Sequence, residues 1–221
     1  MSEKDNIQLP DAVFWDWDGT LVDSYGFLND AHSHTLITLG FEPFKKGEYK
    51  QYFGKPREML YPAIYNEKCE EAKEIFGKYV AENSHKIQTI QGGERVLKFL
   101  YRRNIKMGIV SNKKASFIAL ELKHLGWEKY FSVIVGAGDA HTDKPSPAPL
   151  LLALENSGID KDYTNIWYIG DTENDLACAQ SAGCASLFLS GVAETETLLQ
   201  KYNPIITFDN YSQLEEILVA I

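Results

Sequence analysis

The sequence predicts an α/β protein: a Rossmann-like core with a parallel sheet flanked by helices, interrupted by an inserted all-helical cap. Three observations predict it. Short apolar runs at Ala12 to Trp15, Lys106 to Val110, Ser132 to Gly136, Ile166 to Ile169, Ala185 to Leu189 and Pro204 to Phe208 are separated by helical patterns. Alternation of this kind builds right-handed βαβ units and a largely parallel sheet. Between roughly residues 24 and 89 the alternation stops and only helical periodicity remains. The first apolar run ends in Asp16-Trp17-Asp18-Gly19-Thr20, two carboxylates one residue apart where a parallel strand delivers its C-terminal end to a ligand crevice.

Taken in order, residues 1–11 form a polar lead-in, and Pro10-Asp11 turns the chain into the first strand. Gly19 and Thr20 break that strand. Leu28, Ala31, Thr35 and Leu39 then recur at three- and four-residue spacing as far as Gly40, an amphipathic helix with a glycine stop. Met59, Leu60, Ala63 and Ile64 predict one further helical face, and Ala72, Ile75, Phe76, Tyr79 and Val80 another. No strand-like run interrupts them. A segment of this kind between two strands reads as a small helical bundle acting as a lid. The expected organisation is a core domain of residues 1–23 and 90–221 and a helical cap of residues 24–89. Ile90-Gln91-Gly92-Gly93 returns the chain to strand-helix alternation.

A chain of 221 residues suits one domain with an insertion. With 44% hydrophobic and 24% charged residues its composition is that of a folded globular protein. The net charge is −9, from 22 Lys+Arg against 31 Asp+Glu, and the basic residues form no block or stripe. That excludes nucleic acid as the main partner, since polyanion binding needs a basic footprint. An anionic substrate must then be held locally. Cys69, Cys178 and Cys184 fit neither a CxxC nor a zinc pattern and read as reduced, packed thiols. Ser2 to Gln8 is polar, and no apolar run reaches the roughly 18 residues that span a bilayer. A cytoplasmic protein without a membrane partner is therefore expected, while oligomeric state is left open.

The chemistry lies at the strand ends. The second strand ends in Val110-Ser111-Asn112, Lys144-Pro145 lies in the loop after the third, and the fourth runs into Gly170-Asp171-Thr172-Glu173-Asn174-Asp175. A doubly wound sheet brings all of these to one crevice. Carboxylates crowded together repel each other unless a cation sits among them. Mg2+ prefers hard oxygen ligands and takes one or two carboxylates plus a substrate phosphate, a set that Asp16, Asp171 and a backbone carbonyl near Asp18 can supply. Asp16 can then act as a carboxylate nucleophile giving an acyl phosphate. Asp18 serves as acid to the leaving alcohol and base to the incoming water, and Ser111 and the Asn112 amide donate to phosphoryl oxygens. Gly19 and Thr20 are expected beside the same substrate. Singly, each of these residues has an ordinary reading as a turn, a helix cap or a solvated loop; the constellation is what is specific.

On these residues the chain resembles the haloacid dehalogenase-like hydrolase superfamily, whose four motifs match in order: Asp16-Trp17-Asp18-Gly19-Thr20, Ser111, Lys144-Pro145, and Gly170-Asp171 with Asp175. The resemblance covers nearly the whole chain and implies a phosphoaspartyl mechanism with Mg2+. The helical insert is similar to the cap of the subfamily that includes phosphoglycolate phosphatases, β-phosphoglucomutases and phosphonatases. Carried over, Asp16 is nucleophile and metal ligand, and Asp18 is acid/base and a ligand through its main chain. Ser111 and Lys144 hold the phosphoryl group, Asp171 is a metal ligand, and Asp175 supports Lys144 or a metal-bound water.

Dehalogenase members lack an acid at the position of Asp18, so its presence favours phosphate chemistry. Mutase members carry a cap histidine where this chain has Leu28, and phosphonatase members use a cap lysine, for which Lys45, Lys46, Lys50 and Lys55 are present. Within the cap, Phe53-Gly54-Lys55-Pro56-Arg57 resembles a substrate-specificity loop. Its glycine and proline suggest a turn that carries Lys55 and Arg57 toward the core on closure, for contact with an anionic substrate tail. His32 and His34, two apart on a helix, cannot share a face and read as one packed and one surface histidine. The expected function is a Mg2+-dependent phosphatase acting on a small phosphorylated metabolite of phosphoglycolate or sugar-phosphate type. The alternatives are a phosphosugar mutase and a non-catalytic module binding a phosphorylated ligand.

Overall fold

In the computed structural model, which describes residues 7–159, 165–190 and 195–221, strand β1 (Ala12–Trp15) lies in the middle of a six-stranded sheet. All four of its residues are buried. A central parallel strand is covered on both faces, which is why this run is continuously apolar and does not alternate. The chain passes through β2 (Val22–Asp23), α1 (Tyr25–Thr38), α2 (Arg57–Tyr65), α3 (Cys69–Asn83) and β3 (Gln88–Thr89). It then alternates through α4 (Gly93–Arg102), β4 (Lys106–Val110), α5 (Ala115–Leu125), β5 (Val133–Val135), α6 (Ala148–Ser157), β6 (Ile166–Gly170), α7 (Glu173–Ala182) and β7 (Ala185–Leu189). It ends in α8 (Thr195–Tyr202), β8 (Ile206–Phe208) and α9 (Tyr211–Ala220). Residues 1–6 of the expected polar lead-in lie outside the described residues.

The large sheet has the order β5-β4-β1-β6-β7-β8, with every pairing parallel. The six predicted strands are therefore the six strands of this sheet, three of them with ends shifted by one or two residues. Because β4 flanks β1 on one side and β6 on the other, the strand order reverses at β1, the place where an open α/β sheet leaves a crevice. Trp15 is in register with both Ile109 and Ile169, so the segments that follow emerge side by side. The Asp16 N–H donates to the Ile169 carbonyl at 2.8 Å and fixes the first carboxylate at that edge.

Successive β1 side chains go to opposite faces. Val13 and Trp15 join Leu97, Ile118, Leu187 and Leu214 beneath α4, α5 and α9, while Ala12 and Phe14 join Leu150, Ala153, Tyr168 and Cys178 beneath α6 and α7. All three cysteines are free; Cys178 and Cys184 are buried and Cys69 is partly so. Burial pushes the Cys178 and Cys184 thiols up to about 12, as packed, unreactive thiols should be. No helix among the described residues is long and apolar enough to cross a membrane.

Helices α1, α2 and α3 form a layer with a separate apolar centre built from Ala31, Leu36, Leu60, Tyr61, Ile64, Tyr65, Ala72, Phe76 and Val80. Two expectations need correction here. The inserted segment is not free of strand: Gln88–Thr89 pairs antiparallel with Val22–Asp23, so the chain enters and leaves the helices through one short ladder. Two residues with both strand positions of β3 exposed carry no periodic signal. The buried face of α2 also differs, since Met59 and Ala63 are exposed and Tyr61 and Tyr65 replace them beside Leu60 and Ile64. Taking only Met59, Leu60, Ala63 and Ile64 as the apolar face of α2 missed its tyrosines, whose rings bury as well as leucine does.

His32 is buried in this layer and His34 is exposed. The His32 ring lies against Tyr49, Tyr61, Tyr65 and Phe76, and its Nδ1 shares a 2.7 Å hydrogen bond with the Tyr65 hydroxyl. Burial, aided by the charge of Arg57, pushes its pKa down to about 3. The unfolded histidine takes up a proton near pH 6.5, whereas the folded one stays neutral to about 3. Its contribution is thus fully present above pH 6.5 and is lost as pH falls through that window, by up to about 1.4 kcal/mol per pH unit. Urea unfolding at pH 7 and pH 5 should show the wild type losing about 2 kcal/mol more than His32→Phe over that interval.

Candidate active site

Lys144, in the loop after β5, places its ammonium at the base of the crevice, beside Asp16. It is 3% exposed, and its ammonium donates to Asp16 Oδ1 at 2.7 Å, to Asp175 Oδ1 at 2.7 Å and to the Tyr168 hydroxyl at 3.0 Å. An ammonium has three N–H groups, so each has a partner. Burial alone would lower the Lys144 pKa, but Asp16 and Asp175 hold it above its ordinary value. Burial pushes Asp16 the other way, up to about 7, against the pull of Lys144. The loop is fixed by a two-bond clamp: the Lys144 N–H donates to Asn112 Oδ1, and Asn112 Nδ2 donates to the Lys144 carbonyl, both at 3.0 Å.

Asp171 follows β6, and Asp175 lies at the third position of α7. The Asp175 Oδ2 accepts from the Thr172 N–H at 2.9 Å and from its hydroxyl at 2.6 Å, capping the helix while Oδ1 holds Lys144. This is the capping-box arrangement, and it commits both oxygens of Asp175. Gly170 must be glycine, because a Cβ there would stand 2.3 Å from the Asp175 Cβ. Asp171 differs from Asp175: Thr20 Oγ1 donates to it at 2.9 Å, and among the described residues it makes no ion pair. Burial and the nearby charges of Asp16 and Asp175 push its pKa well above the usual carboxylate range.

Carboxylate oxygens of Asp16, Asp171 and Asp175 all lie within 4.8 Å of one another. Three acids facing one ammonium leave negative charge that a divalent cation would satisfy. The donor set is of the hard-oxygen type that Mg2+ takes, and since Asp175 is fully engaged, Asp16 and Asp171 are the carboxylates that fit it. Gly19 and Thr20, expected beside substrate, are directed toward Asp171: Thr20 by its hydroxyl, and Gly19 by a backbone at φ +85° whose added Cβ would stand 2.4 Å from Asp171 Oδ2.

Above these groups is a cavity of about 740 Å3, counted with its open mouth. Asp16, Asp18, Ser111, Asn112 and Lys144 line its floor, and Lys55 and Arg57 line it from the helical layer. Lys55 stands over the Tyr52 ring, and Arg57 stacks on Tyr61 while donating to its hydroxyl at 3.2 Å. The Asn174 Nδ2 donates to the Gly54 carbonyl at 3.0 Å, joining the turn before Arg57 to the start of α7. Lys45, Lys46 and Lys50 are exposed and do not line the cavity.

Several residues of the site were not singled out from the sequence, Tyr168, Lys113 and Lys114 among them. Tyr168 sits inside β6, where an aromatic residue reads as core. Lys113 and Lys114 follow Ser111-Asn112, and Lys113 is buried and paired with Asp18 and Glu121. Lys114 remains exposed, with its pKa lowered first by the charge of Arg57. The doubled lysine at Lys113-Lys114 was the one available signal.

Comparison with known proteins shows the family. Residues 13–189 match the family model described as haloacid dehalogenase-like hydrolase. A phosphoglycolate phosphatase of Photorhabdus laumondii is 30% identical over 212 residues, covering 92% of this chain and 90% of its own. One of Psychrobacter arcticus is 29% identical over 220 residues, covering 94% and 95%. A Had-superfamily hydrolase from Ehrlichia chaffeensis has a similar structure, with TM-score 0.67, 25% identity and 97% and 98% coverage. A hydrolase from Pseudomonas syringae shares the fold at TM-score 0.77 and 21% identity, covering 95% and 98%.

Gly19→Ala should both strain the backbone and displace Asp171. The expected result is a loss of about 1–3 kcal/mol in urea unfolding, with phosphatase activity reduced at least about tenfold by misplacement of a carboxylate.

Proposed function

The chain belongs to the haloacid dehalogenase-like hydrolases and is a phosphoric monoester hydrolase, and from that premise we propose that it cleaves a small phosphorylated metabolite through an acyl phosphate of Asp16. One observation carries the reading: Lys144 holds Asp16 by Oδ1 alone, at the floor of the cavity, so the other oxygen is available to a phosphorus atom above it. In the first step that oxygen bonds to phosphorus as the ester P–O bond breaks, and Asp18 gives a proton to the departing alcohol oxygen. In the second, water attacks the phosphorus, Asp18 takes a proton from it, and inorganic phosphate leaves as the Asp16 carboxylate is restored. Ser111 and the Asn112 N–H donate to the phosphoryl oxygens, the Asn112 side chain being held by Lys144. As Asp16 loses its charge to the new bond, Lys144 transfers a hydrogen bond to the phosphoryl group.

Asp16, Asp171 and the Asp18 carbonyl are the groups we assign to Mg2+. When bound, it supplies the charge compensation that lets an anionic phosphate approach an anionic carboxylate. We assign residues 24–89 as a cap over a core of residues 1–23 and 90–221, because α1, α2 and α3 share an apolar centre of their own. Phosphoglycolate is the model substrate: curated relatives carry that activity in their names, and Arg57 and Lys114 both line the cavity, where the charge of Arg57 lowers the Lys114 pKa. Neither forms an ion pair among the described residues, and an anionic tail beside them would relieve their repulsion. Leu28 lines the cavity where a mutase carries its cap histidine, which favours transfer to water over transfer back to a sugar.

Phosphate release from phosphoglycolate and from a generic aryl phosphate, with Mg2+ present, tests the assignment. Asp16→Asn and EDTA should each reduce it at least about a hundredfold, and equal rates in wild type and Asp16→Asn would sink the phosphoaspartyl reading. Arg57→Ala should raise KM for phosphoglycolate about tenfold, more than for an ester with an uncharged alcohol.

A further inference from the structure

Lys113 is a buried ammonium that the reaction scheme above does not use. It lies two residues beyond Ser111, is 7% exposed, and donates to Asp18 Oδ1 at 2.9 Å and to Glu121 Oε2 at 2.8 Å. Glu121 Oε1 stands 2.7 Å from the same nitrogen, off its hydrogen-bond directions. Glu121, on α5, is 0% exposed and accepts from the Trp17 indole N–H at 2.5 Å. Trp17 is wedged edge-on against Trp127 and Phe131. The chain Trp17, Glu121, Lys113, Asp18 therefore begins in the core, one residue from where it ends.

Burying a lysine and a glutamate is unfavourable unless each is paired and hydrogen-bonded, so a merely structural purpose would be served as well by two apolar side chains. What the pair adds is a fixed donor aimed at Asp18. Among the described residues, Lys113 is the only side chain that hydrogen-bonds the Asp18 carboxylate. Glu121 offsets the ammonium's charge, so Asp18 gains an orienting hydrogen bond beside a pair that is neutral overall.

We propose that Lys113, anchored by Glu121 and Trp17, is the positioning residue that fixes the Asp18 carboxyl for proton transfer to the leaving alcohol. This rests on the reading of Asp18 as the acid, and the experiment separates the two. A group that acts through the acid matters for an alkyl phosphate, whose alkoxide is a poor leaving group. It matters little for p-nitrophenyl phosphate, whose phenolate departs unprotonated. The quantity to measure is the ratio of kcat/KM for the alkyl ester to kcat/KM for the aryl ester. This parameter stops at the first irreversible step, so it leaves out hydrolysis of the phosphoenzyme.

Lys113→Met strands Glu121 as an uncompensated buried charge, so it is paired with Lys113→Met/Glu121→Gln, which removes both charges and leaves an oxygen for the Trp17 N–H. In the folded Lys113 variants the ratio should fall about tenfold, and in Asp18→Asn about a hundredfold or more. An unchanged ratio in the Lys113 variants, with the fall seen in Asp18→Asn, overturns the positioning role and leaves the acid in place. An unchanged ratio in Asp18→Asn removes the acid role, and the Lys113 assignment with it.

Discussion

The Lys144 ammonium is almost wholly buried, and its three protons go to three parts of the fold: the end of β1, the middle of β6 and the first turn of α7. Breaking one partner of a buried charge leaves an uncompensated ion, which costs several kcal/mol. The interaction therefore constrains everything around it. It requires β1 and β6 to be adjacent and in register, α7 to start directly after β6, and the loop after β5 to double back over the crevice. The parallel order around β1 and the Asn112 clamp meet those requirements. The apolar faces of the sheet supply the bulk of the driving force, while this ion decides how the strand ends are aligned.

Much of this was legible beforehand. Apolar runs bounded by polar strand ends are a strong signal because a doubly wound sheet buries whole strands and exposes only their C-terminal edges. Asp16, Ser111, Lys144 and Asp171 were each found as a polar residue directly following such a run or in the loop after it. What escaped was polar chemistry hidden inside apolar patterns. Tyr168 and Trp17 look like core residues and are core residues, yet each uses its one polar atom on a buried charge. Glu121 lies on a helix where the sequence shows only an ordinary acid among leucines, and its partners come from 8 and 104 positions away. Pairings of that range have no local pattern to read.

The helical layer illustrates a different limit. Its centre is unusually aromatic, with Tyr49, Tyr61, Tyr65 and Phe76 gathered around His32. Aliphatic periodicity locates α1 and α3 but misplaces the face of α2, because tyrosine is counted as polar or apolar depending on the scale. Four of these rings, His32, Tyr49, Tyr61 and Phe76, line the cavity over its ionic floor, with Lys55 and Arg57 beside them. Such a boundary suits a substrate that presents its charge at two ends and little polarity between them.

Asp175 closes α7 with one oxygen and holds Lys144 with the other. Helix nucleation and charge placement in the crevice are thereby one event, with no state in which the first turn of α7 has formed properly and the ammonium is adrift. Local opening of that turn and collapse of the charge arrangement should then belong to a single cooperative unit. The amide protons at the start of α7 would exchange on the same schedule as the site itself disassembles. Whatever alters the ionic state of the crevice, an arriving anion included, is felt as a change in the persistence of a helix end.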